Sequence, residues 1–167
     1  MFLVEVIVTL ALGIDPGTAT TGYGLVRLKP DGGLLAVKYG VITTPKDTSA
    51  PERLVMLYDQ LQDLLREHKP ETAAVEKLFF QRNITTAIAV GQARGVMLLS
   101  LAQAGLEVFE YTPNEIKQAV AGYGSAGKRQ MQEMVRVLLA LEDIPRPDDA
   151  ADALAVAITH LNTKRYG

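Results

Sequence analysis

Four carboxylates in this chain stand where apolar sequence leaves an ionised acid little access to water, and that restricts how the chain can fold. Asp15 ends the run Leu10-Ala-Leu-Gly-Ile14, Glu76 ends Ala73-Ala-Val75, and Asp149 and Asp152 lie in Asp148-Asp-Ala-Ala-Asp-Ala-Leu-Ala-Val-Ala-Ile158. A buried charge is costly unless it is paired or binds a metal. The fold must therefore give each acid a cation or gather the acids around one. The rest of the 19 acidic residues fall mostly in polar stretches that read as solvated helix faces.

The pattern between these acids predicts the elements that carry them. Val6 to Asp15, Gly22 to Leu28 and Gly33 to Ile42 are strand-like runs, the third following the turn Lys29-Pro-Asp-Gly32, and their close spacing implies an antiparallel meander. Leu54, Leu57, Tyr58, Leu61, Leu64 and Leu65 recur at helical steps, predicting an amphipathic helix from Pro51 to near Pro70. Thr72 to Glu76 reads as a short buried strand. Thr85 to Ala104 reads as a long apolar helix closed by Gly105, and Leu106 to Tyr111 as a fifth strand. Pro113 opens another helix, the loop 121–127 leads to a helix from Lys128 to Leu141, and after Pro145-Arg-Pro147 a last helix covers Asp148 to Leu161. The order βββαβαβααα predicts an α/β fold, a mixed sheet flanked by helices.

No repeat, linker or low-complexity tract divides the 167 residues, and 48% of them are hydrophobic, so residues 1–167 read as a single domain. Residues 1–10 are expected to be a leader or an extension of the first strand. That end has no basic segment, Glu5 interrupts it, and only nine uncharged residues run from Val6 to Ile14, too few to span a membrane. No spanning segment is expected elsewhere, and the protein is expected in the cytoplasm.

The chemistry follows from the acids. On a helix Asp149 and Asp152 share a face at i and i+3, and so do Asp148 and Asp152 at i and i+4; spacing does not choose between them. If Asp15 and Glu76 end neighbouring strands and the last helix crosses them, the carboxylates converge. With no cysteine and only His68 and His160 in the chain, the donors are oxygen, which suits Mg²⁺ or Mn²⁺ rather than Zn²⁺. Two such ions generate hydroxide from water and stabilise the leaving oxygen of a phosphodiester. The competing assignment makes Asp15 a turn cap, Glu76 the partner of a basic residue, and Asp149 and Asp152 acids favoured by a helix dipole. It leaves unexplained Glu76 and the apolar strand before Asp15.

Gly13-Ile-Asp-Pro-Gly17 with Gly22-Tyr-Gly24, Val75-Glu76, Gly91-Gln-Ala-Arg-Gly95, Val120-Ala-Gly-Tyr-Gly-Ser-Ala126 and Asp149-Ala-Ala-Asp-Ala-Leu-Ala155 together resemble the RuvC family of Holliday junction resolvases, in order, from about residue 11 to residue 161. The resemblance implies a ribonuclease H-like fold with a five-stranded sheet, a homodimer, and Mg²⁺-dependent paired nicking of four-way DNA junctions in recombination and repair. It implies that Asp15, Glu76, Asp149 and Asp152 are the catalytic acids and the ligands of two metal ions. Phe79 resembles the family's aromatic residue that stacks on exposed bases, and Lys117, Lys128 and the adjacent Arg129 fall where basic residues face DNA phosphates. The helix from Thr85 to Ala104 resembles the family's dimer-forming helix, and the RuvA and RuvB branch-migration proteins are implied partners. Two rivals share the superfamily: actin-like ATPases, which need a longer chain, and YqgF-type RNA-processing nucleases, which match the 121–127 loop less well.

Charge first argues the other way. Lys and Arg number 17 against 19 acids, a net charge of −2, without the basic excess of a typical nucleic-acid binder. Setting the four candidate ligands aside leaves 15 acids against the 17 bases. The distribution is uneven too: Lys77 to Arg136 holds seven Lys/Arg and four Glu, whereas Val137 to Asp152 holds five acids and one Arg. The basic excess lies in the segment expected to face DNA.

Overall fold

The computed structural model describes residues 9–17, 19–77 and 83–165. Along the chain they form β1 (Leu10–Asp15), β2 (Thr20–Leu28), β3 (Leu34–Thr43), α1 (Ala50–His68), β4 (Thr72–Glu76), α2 (Ile84–Gln103), β5 (Val108–Tyr111), α3 (Pro113–Ala121), α4 (Lys128–Leu138) and α5 (Asp148–Arg165). The element order is the one the sequence predicts. The five strands make one mixed sheet in the order β3-β2-β1-β4-β5, antiparallel from β1 to β3 and parallel from β1 through β4 to β5. This is the ribonuclease H-like arrangement.

Strand alternation divides the core into two layers. Leu10, Leu12 and Ile14 of β1 and Ala73 and Val75 of β4 pack with Leu57, Leu61, Leu64 and Leu65 of α1 and with Ala93, Met97 and Leu101 of α2. Ala11 and Ala74 meet Ile116 and Val120 of α3, Val135 and Leu139 of the α4 end, and Leu154 to Ile158 of α5. Asp15 and Glu76 have the parity of Ala11 and Ala74. Both acids therefore face the α5 side of the sheet.

The helix α5 is buried all round from Ala153 to Leu161, as suits a helix laid over the centre of a sheet. Its alanines let it approach β1 closely: a Cβ on Gly13 would lie 2.2 Å from the Ala153 carbonyl oxygen. Its far end is fixed by His160, fully buried, whose Nε2 and Nδ1 hydrogen-bond Thr72 Oγ1 at 2.6 Å and the Tyr111 hydroxyl at 2.8 Å. His160 is thus a structural tie between α5 and the two parallel strands.

Three helix starts follow their sequence signals. Ser49 with Glu52 and Thr112 with Glu115 form capping boxes, and Asn83 accepts from the N–H groups of Thr85 and Thr86. The end of α4 differs from the expected Leu141. Ala140 turns left-handed at φ 51°, and the N–H groups of Ala140 and Leu141 donate to the carbonyls of Val137 and Arg136, the pair of bonds of a Schellman stop. An alanine does here what glycine usually signals, so the sequence carries no mark of it. At the other extreme α5 runs on to Arg165, past Leu161.

The helix α2 is the long apolar helix expected from Thr85 to Ala104, with its bounds at Ile84 and Gln103. By length and composition it is apolar enough to cross a membrane, yet only 22% of that stretch is buried. Ile84, Ile88 and Leu99 are exposed on it.

Candidate active site

Parallel pairing places the first two acids. Ile14 of β1 is in register with Val75 of β4, so Asp15 and Glu76, one residue further along, end adjacent strands side by side on the same face. The first turns of α5 then bring Asp149 and Asp152 over these strand ends. One carboxylate oxygen from each of Asp15, Asp149 and Asp152 lies within 4.8 Å of the others, and Glu76 hydrogen-bonds the Asp15 carboxyl.

The electrostatics reflect this crowding. Burial raises the Asp15 carboxyl well above the usual carboxylate range, reinforced by the hydrogen bond to Glu76 and by the charges of Glu76, Asp152 and Asp149. Asp152 is pushed up to about 6, chiefly by burial; the Lys128 charge opposes the rise, while Glu76, Asp149 and Asp148 add to it. Without a cation such a cluster retains a proton among its members. Four carboxylates with no histidine or cysteine among them are a donor set that fits a hard divalent cation. Among the described residues no Lys or Arg is ion-paired with the carboxylate of any of the four, Glu76 included.

The geometry also separates Asp148 from Asp149. Asp148 turns outward, where its carboxylate meets Lys128 Nζ at 3.2 Å, Arg146 Nη1 at 2.8 Å and Gln132 Nε2 at 3.2 Å. Lys128 holds its proton more tightly than a free lysine because of this contact, and the Asp148 carboxyl is lowered by the same partner. Asp149 is the member of the pair that joins Asp15 and Asp152.

A cleft of about 330 Å³ opens beside the acids, lined by Glu76, Asp152, Lys117 and Lys128 together with Ile116 and Met131. Two of the sequence-predicted basic residues thus share a cavity with two of the acids. Arg129 does not; it lines a separate groove with Glu133 and Arg136. Phe79 lies outside the described residues. Arg94 receives no role from sequence, yet its guanidinium donates to the Glu76 carbonyl at 2.8 Å. The available signal was a lone charged residue inside a 20-residue apolar helix.

Comparison with known proteins agrees with this architecture. Residues 11–160 match the family model described as crossover junction endodeoxyribonuclease RuvC. The chain is 61% identical over 162 residues to the crossover junction endodeoxyribonuclease RuvC of Chloroflexus aggregans, covering 94% of this chain and 98% of that one. The RuvC structure from Thermus thermophilus superposes with a TM-score of 0.89 at 37% identity, covering 95% and 97% of the two chains. The same organism's RuvC in complex with a Holliday junction substrate gives 0.87 at 34% identity over the same shares. With its sheet and nearly its whole length matched in this way, the chain belongs to the RuvC family of crossover junction endodeoxyribonucleases.

Proposed function

We propose that this chain resolves Holliday junctions by symmetric, Mg²⁺-dependent nicking of opposed DNA strands in recombination and repair. The observation that carries this reading is the convergence of acids from β1, β4 and α5, two of which, Glu76 and Asp152, line a cleft together with Lys117 and Lys128. Asp15, Glu76, Asp149 and Asp152 hold two Mg²⁺ ions, for which Mn²⁺ can substitute. Bound there, the ions lower the pKa of water and neutralise charge at the leaving oxygen. The protein residues do the rest: burial makes Asp15 and Asp152 reluctant to ionise without cations, and Lys117 and Lys128 orient the phosphodiester. Arg129 contacts the DNA outside the cleft, and Phe79 stacks on an exposed base.

The full chain acts as one nuclease domain in the cytoplasm, as a homodimer whose two sites meet a junction that is itself close to twofold. The uncovered apolar residues Ile84, Ile88 and Leu99 of α2 suit the dimer contact. The RuvA–RuvB branch-migration complex is its proposed partner, in keeping with the family.

The test is incubation with a synthetic four-way junction and a matched linear duplex, with and without Mg²⁺. Paired nicks in the junction alone, only with Mg²⁺, are expected. Junction binding without nicking in Mg²⁺ would leave a binding module, and equal cutting of the duplex would leave a general nuclease.

A further inference from the structure

The motif Gly91-Gln-Ala-Arg-Gly95 is one of those by which the sequence resembles the family, but nothing in the acid cluster uses its one charged side chain. Arg94 lies midway along α2, and its side chain is only 16% exposed although the helix around it is largely uncovered. Burying a guanidinium in an apolar helix is costly unless each end of it is answered. Here both ends are. Nη1 donates to the main-chain carbonyl of Glu76 at 2.8 Å, and Nη2 is paired with the Glu110 carboxylate of β5.

The place of that carbonyl explains why it needs a side-chain donor. The Lys77 N–H reaches across to Tyr111 of β5, so by the alternation of the ladder the Glu76 carbonyl faces β1. The residue following β1 at that level is Pro16, which has no N–H to give. Arg94 supplies the missing donor, while Glu110, in register with Val75, holds the fork in place. One side chain of α2 thereby fixes the main chain at the residue whose carboxylate meets Asp15.

We propose that Arg94 is a positioning residue for the acidic centre: by capping the end of β4 at Glu76, with Glu110 orienting its guanidinium, it couples the placement of α2 to the alignment of the Glu76 carboxylate. Its point of action is the main chain at Glu76, so it touches neither metal nor DNA. The proposal rests on the reading of Glu76 as a metal ligand.

The experiment uses the full-length protein and a synthetic four-way junction. Single-turnover cleavage is titrated with Mg²⁺, junction affinity is measured in Ca²⁺, and Tm is recorded for each variant. Arg94→Met is expected to lower the maximal rate about 10- to 100-fold and to raise the Mg²⁺ concentration for half-maximal rate, the usual scale for losing a residue that orients a metal ligand. Junction affinity in Ca²⁺ should stay within about threefold of wild type, because no DNA contact is removed. Arg94→Lys, which keeps one donor and loses the fork, should fall between, and Glu110→Gln should shift the Mg²⁺ requirement in the same direction by less.

An unchanged Mg²⁺ requirement in both Arg94→Met and Glu110→Gln overturns the proposal. So does a loss of rate in Arg94→Met that matches its unfolded fraction and leaves Glu110→Gln at wild-type behaviour. Glu76→Gln separates this inference from the reading beneath it. Full cleavage by Glu76→Gln would refute the ligand assignment itself, whereas an inactive Glu76→Gln beside a normal Arg94→Met refutes only the coupling.

Discussion

Gly22 of β2 stands so close to the first turn of α5 that a Cβ built on it lies 1.9 Å from the carbonyl oxygen of Asp149. The atom in the way is main chain, so no rotamer change relieves the contact. Residue 22 pairs with Asp15 across the antiparallel ladder, which places this approach directly beside the acid cluster. Gly22→Ala should push α5 off the sheet at the turn carrying Asp149. The expected cost is about 1–3 kcal/mol of overpacking, seen as a Tm lowered by several degrees. Nicking should fall tenfold or more, at roughly the scale of an ångström-sized misplacement. Wild-type cleavage by this variant would show that the approach does not set the site.

Asp149 and Asp148 should separate cleanly by mutation. Asp149→Asn replaces an anionic donor inside the cluster with a neutral amide, so nicking should drop by orders of magnitude while junction binding in Ca²⁺ persists. Near-normal nicking would remove Asp149 from the site.

Asp148→Asn should behave differently, because its carboxylate answers Lys128 and Arg146 rather than the other acids. Losing that charge releases Lys128 toward phosphate. Junction affinity at low salt should rise about two- to fivefold and the gain should vanish at high salt, as expected for exposed charges. Loss of nicking as severe as in Asp149→Asn would instead make Asp148 a ligand.

Stability without metal should depend on pH in a defined direction. The folded Asp152 titrates at about 6 and the folded Asp15 higher still, both above the roughly 3.9 of an unfolded aspartate. The folded state thus holds more protons than the unfolded state across this window, so stability falls as pH rises from about 4 through 6 and beyond. Metal-free wild type should lose Tm between about pH 5 and 8, and Asp15→Asn should lose less. Mg²⁺ should raise Tm more at the upper pH, because the ligands must be deprotonated to bind it. An equal Mg²⁺ gain at both pH values would show that ion binding is not linked to deprotonation of these acids.

Much of this fold was legible because its signals are local. The leucine spacing of α1, the Pro113 start of α3 and the apolar run into Asp15 each state their element in a few residues. The four acids stood out for the same reason, as charge at the ends of apolar elements. What sequence could not state depends on residues far apart in the chain. Helical spacing did not choose between Asp148 and Asp149, which only the family resemblance separated; in the structure Lys128 and Arg146 hold Asp148 outward. The use of Arg94 depends on Glu110 and on a carbonyl at the end of β4, 18 residues earlier. Lys128 and Arg129 are neighbours in sequence, yet helical geometry sends one to the cleft and the other to a different groove.

Asp15, Glu76, Asp149 and Asp152 are proposed to form a divalent-metal centre. Anomalous scattering from crystals grown with Mn²⁺ tests it most directly. Two anomalous peaks, each within about 2.4 Å of carboxylate oxygens of these residues and both lost in Asp149→Asn crystals, are the predicted result. Mn²⁺ bound elsewhere, with these four acids left uncoordinated in crystals of active wild-type protein, would contradict it.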